Sequence, residues 1–285
     1  MKNESPIRTV GIATKRDSRE ARRVAAELTE WLHRRGLEVA LDEHAREAGA
    51  KDTDAYDPGE SYDLIVALGG DGTLLSVARA QGTDSPILGV NLGTLGFLTE
   101  VGRAEIYPSL IEILAGRFDT ELRSLLDARL ERDGTEVSYR ALNDVVLTKS
   151  ALARIIDLRI EVDDRLVARY RSDGLILSTP TGSTAYNLSA GGPIAHPSLP
   201  VVILTPICPH TLSHRPLVVP DSSRIVVTLE TRTEEVFLTL DGQEGMPMQY
   251  KDRVHVRSSS QQARLVRIRG NSFYDSLRGK LRWGH

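Results

Sequence analysis

The chain has 285 residues, enough for one large or two modest domains, and is 40 % hydrophobic against 26 % charged, an ordinary globular balance. A formal charge of −3 argues against nucleic acid or an anionic membrane as a constitutive partner. The single cysteine, Cys208, excludes an internal disulfide and a cysteine-rich zinc site, and it fits a reducing compartment.

Residues Met1 to Val10 lack the apolar core of a signal peptide, and no uninterrupted apolar stretch reaches bilayer length, so a soluble cytoplasmic protein is expected. With only four Phe and two Trp, Leu, Ile and Val must do most of the packing. Ile7 to Ala13 reads as a short buried strand. Asp17-Ser-Arg-Glu20 resembles a capping box, and Val24, Leu28, Trp31 and Leu32 share one helical face before Gly36 stops it. Leu37 to Leu41 is a second strand. Residues 44–61, polar and acidic with Pro58-Gly59, read as a mobile loop. A strand over 62–68 then meets "GGDGT", a helix is expected from Leu74, and Pro86 to Asn91 is a further strand. A helix through Ile106, Leu110, Ile111 and Leu114 closes at Gly116. Strands alternating with helices predict a parallel sheet covered on both faces.

After about residue 120 the texture changes to short strand-like runs. These are Leu125 to Glu131, Val137 to Leu142, Ile155 to Val162, Leu166 to Tyr170, Leu175 to Ser178, Val201 to Thr205, Arg224 to Leu229, Val236 to Leu240, Arg253 to Arg257 and Arg264 to Arg269. Asp133-Gly134 and Asp163-Asp164 punctuate them, which predicts layered antiparallel sheets. The expected division is an α/β domain over 1–122, a β-sandwich over 123–268, and a terminal segment, 269–285. In that segment Phe273, Leu277 and Leu281 recur every four residues, as in an amphipathic helix that docks elsewhere, the first domain being one destination.

Five segments carry chemistry. In "GGDGT" (Gly69 to Thr73) the glycines let backbone N–H groups approach an anion, and a following helix adds its positive end. It is neither a Walker A loop nor a GxGxxG fingerprint. A turn alone does not need Asp71, which could hold Mg²⁺ or accept a proton from an attacking hydroxyl. Gly89-Val-Asn-Leu-Gly93-Thr-Leu-Gly96-Phe is a second glycine-rich strand end, read as shaping a pocket rather than reacting. "LNDVVL" places Asn143 and Asp144 inside an apolar run, where they either close a local network or face a ligand. "YRSDGLILSTPTGSTAYNLSAGGPI" (Tyr170 to Ile194) offers hydroxyls, an amide, an aromatic face in Tyr186 and a carboxylate in Asp173. It suits a sugar–phosphate–base ligand better than a plain loop. "LTPICPHTLSHRP" (Leu204 to Pro216) holds Cys208, His210 and His214. A Cys/His nucleophile pair is conceivable there, but structural roles for both histidines and rigid proline geometry fit better. His196 lacks partners for a metal site.

Together, GGDGT at 69–73, "ND" at 143–144, the 172–194 segment, the 204–216 segment and "DGQ" at 241–243 resemble bacterial NAD kinases in order and spacing across nearly the whole chain. GGDGT alone is shared with diacylglycerol and sphingosine kinases; the long TPTGSTAY segment is not. The resemblance implies a Rossmann-like α/β N-terminal domain and an all-β sandwich C-terminal domain in a homodimer or homotetramer. It also implies phosphorylation by ATP of the adenosine-ribose 2′-hydroxyl of NAD⁺. By motif position it makes Asp71 the general base with Gly72 beside it at the pyrophosphate. Asn143 and Asp144 would bind the adenine and ribose region; the family more often has Glu where Asp144 stands. Asp173 and the run Thr184, Ala185, Tyr186, Asn187, Leu188 and Ser189 would hold the nicotinamide half. Gln243 would complete the pocket, with Arg154 and Arg171 as outlying contacts. A poorly nucleophilic ribose hydroxyl calls for a positioned carboxylate and for Mg²⁺ held mainly by ATP phosphates, with no dedicated protein cage. The rival readings are a lipid kinase of the diacylglycerol type, whose apolar and basic surfaces the sequence lacks, and a non-catalytic dinucleotide sensor.

Overall fold

The computed structural model describes residues 7–46, 53–93, 96–151, 154–211, 213–232, 235–268 and 272–281. The middle of the acidic loop, Thr94 and Leu95 of the second glycine motif, Leu212, and both termini lie outside the described residues. The chain divides into two compact units, residues 1–122 with 263–285, and residues 123–262.

The first unit contains β1 (Thr9–Thr14), α1 (Arg19–His33), β2 (Glu38–Leu41), α2 (Glu43–Arg46), β3 (Asp54–Ala55), β4 (Leu64–Gly69), α3 (Asp71–Ala80), β5 (Ile87–Asn91), β6 (Val101–Gly102) and α4 (Ile106–Leu114). Helix α1 starts where Ser18, rather than Asp17, caps it: its Oγ accepts from Ala21 N–H at 3.1 Å. Ala21, Val24, Ala25, Leu28 and Leu32 then form its buried stripe, and Gly36 ends the turn at φ +75°. Strands β1, β2, β4 and β5 pair in parallel in the order β5-β4-β1-β2-β3, so β1 has β2 on one side and β4 on the other. Every residue of β5 is buried, as in a sheet with both faces covered. Val10, Ile12, Leu28, Leu32, Leu64, Val66, Leu88, Leu110 and Ile113 belong to one core cluster.

The second unit contains most of β7 (Asp119–Arg132), then β8 (Thr135–Ala141), β9 (Asp144–Lys149), β10 (Ile156–Val162), β11 (Arg165–Ser172), β12 (Gly174–Ser178), α5 (Tyr186–Ser189), β13 (Val201–Ile207), β14 (Leu217–Pro220), β15 (Ile225–Leu229), β16 (Val236–Leu240), β17 (Glu244–Met248) and the start of β18 (Arg253–Arg267). The hairpin turns at Asp133-Gly134 and Asp163-Asp164 carry positive φ at both central residues, matching the twist of the strands they join. One antiparallel sheet runs β14-β13-β12-β9-β16-β17; a second runs β11-β10-β15-β18. Residues of both, among them Val145, Leu175, Leu204, Leu238, Leu158, Val227 and Val254, fill a single core, so the unit is a β-sandwich.

Several expectations shift. The runs Arg253 to Arg257 and Arg264 to Arg269 are one strand, β18, which carries the chain back into the first unit. The boundary there falls at 262/263 rather than 268, because Leu265 pairs with Ile87 of β5. Arg267 pairs with Glu100 at 2.5 Å and Glu121 at 3.3 Å, and Arg264 pairs with Asp84, all within the first unit. The final helix, α6 (Phe273–Leu281), also belongs to that unit and buries Leu277. Residues 170–194 are not a loop. They hold β12, a 3₁₀ turn over Thr181–Thr184 and α5.

Candidate active site

Strands β1 and β4 are neighbours, yet the chain leaves β1 toward β2 on one side and β4 toward β5 on the other. Such a switch of direction opens a crevice at the carboxyl ends of a parallel sheet, where α/β folds take ligands. GGDGT stands there, at the end of β4. Its helix begins at Asp71, three residues before the expected Leu74, because Gly70 C=O already accepts from Thr73 N–H at 3.0 Å and Leu74 N–H at 3.2 Å. Asp71 is therefore the first helical residue, beside the unpaired N–H groups that a helix start offers to phosphate. Gly69 is required by crowding: a Cβ there would run into Thr73 Oγ1 and come within 2.8 Å of Lys15 Cβ.

The second glycine motif holds Asp71. Asp71 Oδ1 accepts from Leu98 N–H at 3.2 Å, Thr99 N–H at 3.0 Å and Thr99 Oγ1 at 2.9 Å; Oδ2 accepts from Phe97 N–H at 2.7 Å. A Cβ on Gly96 would occupy the carboxylate's position. Asn91 fixes the loop in turn, accepting from Gly93 N–H at 2.7 Å and donating to Thr99 Oγ1 at 3.2 Å. A carboxylate has about four lone-pair positions, so Oδ1 is saturated and Oδ2 keeps one for a further donor. Gly72 is exposed beside it.

In the second unit Asp241, at φ +51°, closes the end of β16 onto the start of β9. Its Oδ1 accepts from Asn143 N–H at 2.7 Å and Asp144 N–H at 3.1 Å, its Oδ2 from Leu142 N–H at 3.0 Å, and its own N–H donates to Asp144 C=O. The TPTG turn wraps the same peptide. Thr179 N–H donates to Asn143 C=O at 2.9 Å, Thr179 Oγ1 donates to Leu142 C=O at 2.6 Å, and a Cβ on Gly182 would lie 2.7 Å from Asn143 Cα. Asn143 is thus half-buried and held by its backbone. Asp144 is 4 % exposed, and its carboxyl has no hydrogen-bond partner among the described residues. Burial, and secondarily the nearby Asp241 carboxylate, push it up to about 7.

Tyr186 is largely exposed. Its hydroxyl is pushed up by burial first, then by Cys208, Asp144 and Asp173, so these groups share one neighbourhood. Asp173 pairs with Lys149 Nζ at 3.5 Å. Asn187 is fully buried: its Nδ2 donates to Ser183 C=O and Pro193 C=O, and its Oδ1 accepts from Thr205 Oγ1 at 2.6 Å. It ties the segment together from inside, while Thr184, Ala185 and Leu188 are half-buried and Ser189 is exposed. Gln243 is exposed just beyond Asp241. Arg171 is exposed on β11 with its C=O accepting from His210 N–H, and Arg154 is exposed ahead of β10. His214 stacks edge-on against Tyr170 at 4.7 Å, a structural role. Among the described residues no three His, Cys, Asp or Glu side chains gather as a metal site, and no helix is long and apolar enough to cross a membrane. Lys15, Asn91, Thr99 and Lys149 carry no signal in the sequence; only their neighbours in space mark them.

An acid fixed on the first residue of a helix, at a glycine turn beside the switch point, defines a nucleotide-using phosphotransferase. The ATP-NAD kinase N-terminal domain model matches residues 10–118, and the ATP-NAD kinase C-terminal domain model matches residues 142–268. The NAD kinases of Geotalea daltonii and Geobacter sulfurreducens are 49 % and 51 % identical, each over 92 % of this chain and 93 % of theirs. Yeast NADH kinase complexed with NADH superposes with a TM-score of 0.87 at 28 % identity, over 99 % of this chain and 89 % of that one. An Archaeoglobus fulgidus NAD kinase in complex with ATP gives 0.73 at 26 % identity, over 96 % and 98 %. The chain belongs to the NAD kinase family.

Proposed function

We propose that the chain transfers the γ-phosphoryl group of ATP to the 2′-hydroxyl of the adenosine ribose of NAD⁺, giving NADP⁺ and ADP, with Asp71 as general base. The observation that carries this reading is the fixed Asp71 carboxylate with one acceptor position left on Oδ2. The 2′-oxygen forms a bond to the γ-phosphorus, the bond to the bridging oxygen breaks with its electron pair leaving on ADP, and the hydroxyl proton passes to Oδ2. The hydrogen bonds aim the acid before substrate arrives, which is what positioning requires. In the second unit, Asn143, Asp144, Asp173, Gln243 and the segment from Thr184 to Ser189 supply polar groups for the dinucleotide, with the exposed ring of Tyr186 as a face for a base. Asn187 serves by holding that segment's shape.

Magnesium would enter with ATP on the phosphate oxygens and neutralise their charge, which suits a chain with one carboxylate at the turn. The yeast neighbour is an NADH kinase, so the reduced dinucleotide is the natural second acceptor to assay. The reading places the reaction in the cytoplasm, in a homodimer or homotetramer; light scattering of the purified chain gives the subunit number.

Incubation with ATP, Mg²⁺ and NAD⁺, with NADP⁺ read by a coupled dehydrogenase, tests the activity. Asp71→Asn should keep NAD⁺ binding by calorimetry and lose at least about 10²-fold in turnover. Full activity in that variant would remove the general-base role, and binding without any NADP⁺ from the wild type would make the chain a sensor.

A further inference from the structure

We propose that Lys15 is a catalytic cation of this site, contacting the transferred phosphoryl group from the β1 side of the crevice. The inference rests on the kinase reading and adds a residue to it. Lys15 follows the last residue of β1, and its N–H continues the sheet by donating to Leu68 C=O at 2.8 Å. Its Cβ lies so close to Gly69 that a side chain on that glycine would meet it. Lys15 therefore rises directly beside the glycine turn, on the strand flanking the switch point, while Asp71 begins the helix on the other strand. The side chain is exposed, and among the described residues its ammonium has no ion-pair or hydrogen-bond partner.

Chemistry supplies the need. At this turn a triphosphate meets the negative Asp71, and charge builds on the bridging oxygen and the transferring group as the bond to ADP breaks. A positive group placed there before reaction stabilises that charge without reorganising. Lysine is a compact point charge on a flexible four-carbon stem, suited to following a phosphoryl group that moves between donor and acceptor. The neighbouring Arg16 begins one residue further along and is not packed against Gly69, so it serves as the control.

The experiment measures kcat and KM for the full-length chain and for Lys15→Met, Lys15→Arg and Arg16→Met, with NAD⁺ affinity by calorimetry and thermal midpoints for all four. Lys15→Met should lower kcat about 10²-fold while the NAD⁺ dissociation constant stays within about twofold. Lys15→Arg should recover most of the loss, and Arg16→Met should stay within about threefold of wild type. A Lys15→Met enzyme within about threefold of wild type overturns the proposal. So does a Lys15→Arg enzyme no better than Lys15→Met, or an Arg16→Met enzyme equally impaired. Wild-type NADP⁺ formation in the same assay reports on the kinase reading separately.

Discussion

The buried Asp144 carboxyl makes the folded protein's stability depend on pH in a way that one isosteric change should abolish. Its pKa rises from the ordinary 3.8 to about 7, through burial first and Asp241 second. A raised acid pKa means the folded state holds a proton that the unfolded chain has released. Stability from this group is therefore fully present below about pH 4, falls as pH rises toward 7, and is lost above that. The interval between 3.8 and about 7, at 1.36 kcal/mol per pH unit, corresponds to about 4 kcal/mol of penalty at pH 8. Asp144→Asn keeps the shape and removes the charge. At pH 8 its thermal midpoint should exceed the wild type's by roughly 8 °C, at about 2–4 °C per kcal/mol. At pH 4.5 the two should nearly coincide. Scanning calorimetry of both proteins at half-unit pH steps reads the difference directly, since every other titrating group is common to them. Parallel curves across pH 4 to 8 would mean that Asp144 is not a desolvated, titrating carboxyl, and the account of its environment would be wrong.

Gly96→Ala should displace the Asp71 carboxylate, because the added methyl claims its position; turnover should fall at least about 10²-fold with NAD⁺ affinity retained, as calorimetry beside the coupled assay would show. Asn187→Ala removes three buried hydrogen bonds and leaves their partners unpaired, so urea denaturation should show a loss of about 3 kcal/mol. Gly182→Ala forces a methyl into the Asn143 peptide; a destabilisation of about 1–3 kcal/mol and weaker NAD⁺ binding should appear together, since backbone cannot move aside cheaply.

The chemistry of the site is legible where residue type alone is unusual. Glycines around one acid mark the turn at 69–73, and Asn143-Asp144 stand out as polar inside an apolar run. The partners of those residues are not legible, because they arrive across the fold: Asp71 is held by residues 26 to 28 positions later, and Asp241 closes on residues 97 to 99 positions earlier. The helix start reads as Leu74 in the sequence because Gly70, a poor helix former, supplies the C=O that closes the first turn. Strand β9 is hidden by the same polar pair that draws attention to it, and β17 by its Gly245 and Pro247. Strand β18 reads as two because its middle, Ser258 to Gln262, is polar, with no alternation to betray continuity. The 170–194 segment looks irregular because its hydroxyls are polar in composition; in space Ser172, Thr179 and Ser183 turn inward and bond backbone carbonyls. Composition records what a side chain is, and burial decides which way it faces.

Because the first unit borrows Leu265 and Arg267 from the far end of the polypeptide, it cannot finish assembling during synthesis until nearly everything has left the ribosome. Residues 123–262 can fold by themselves while the earlier half waits with Glu100 lacking its arginine and β5 lacking a neighbour. A nascent chain stalled before Ala263 should thus carry a finished sandwich and an incomplete phosphate-handling half, and a ribosome that never reaches the end yields no working catalyst.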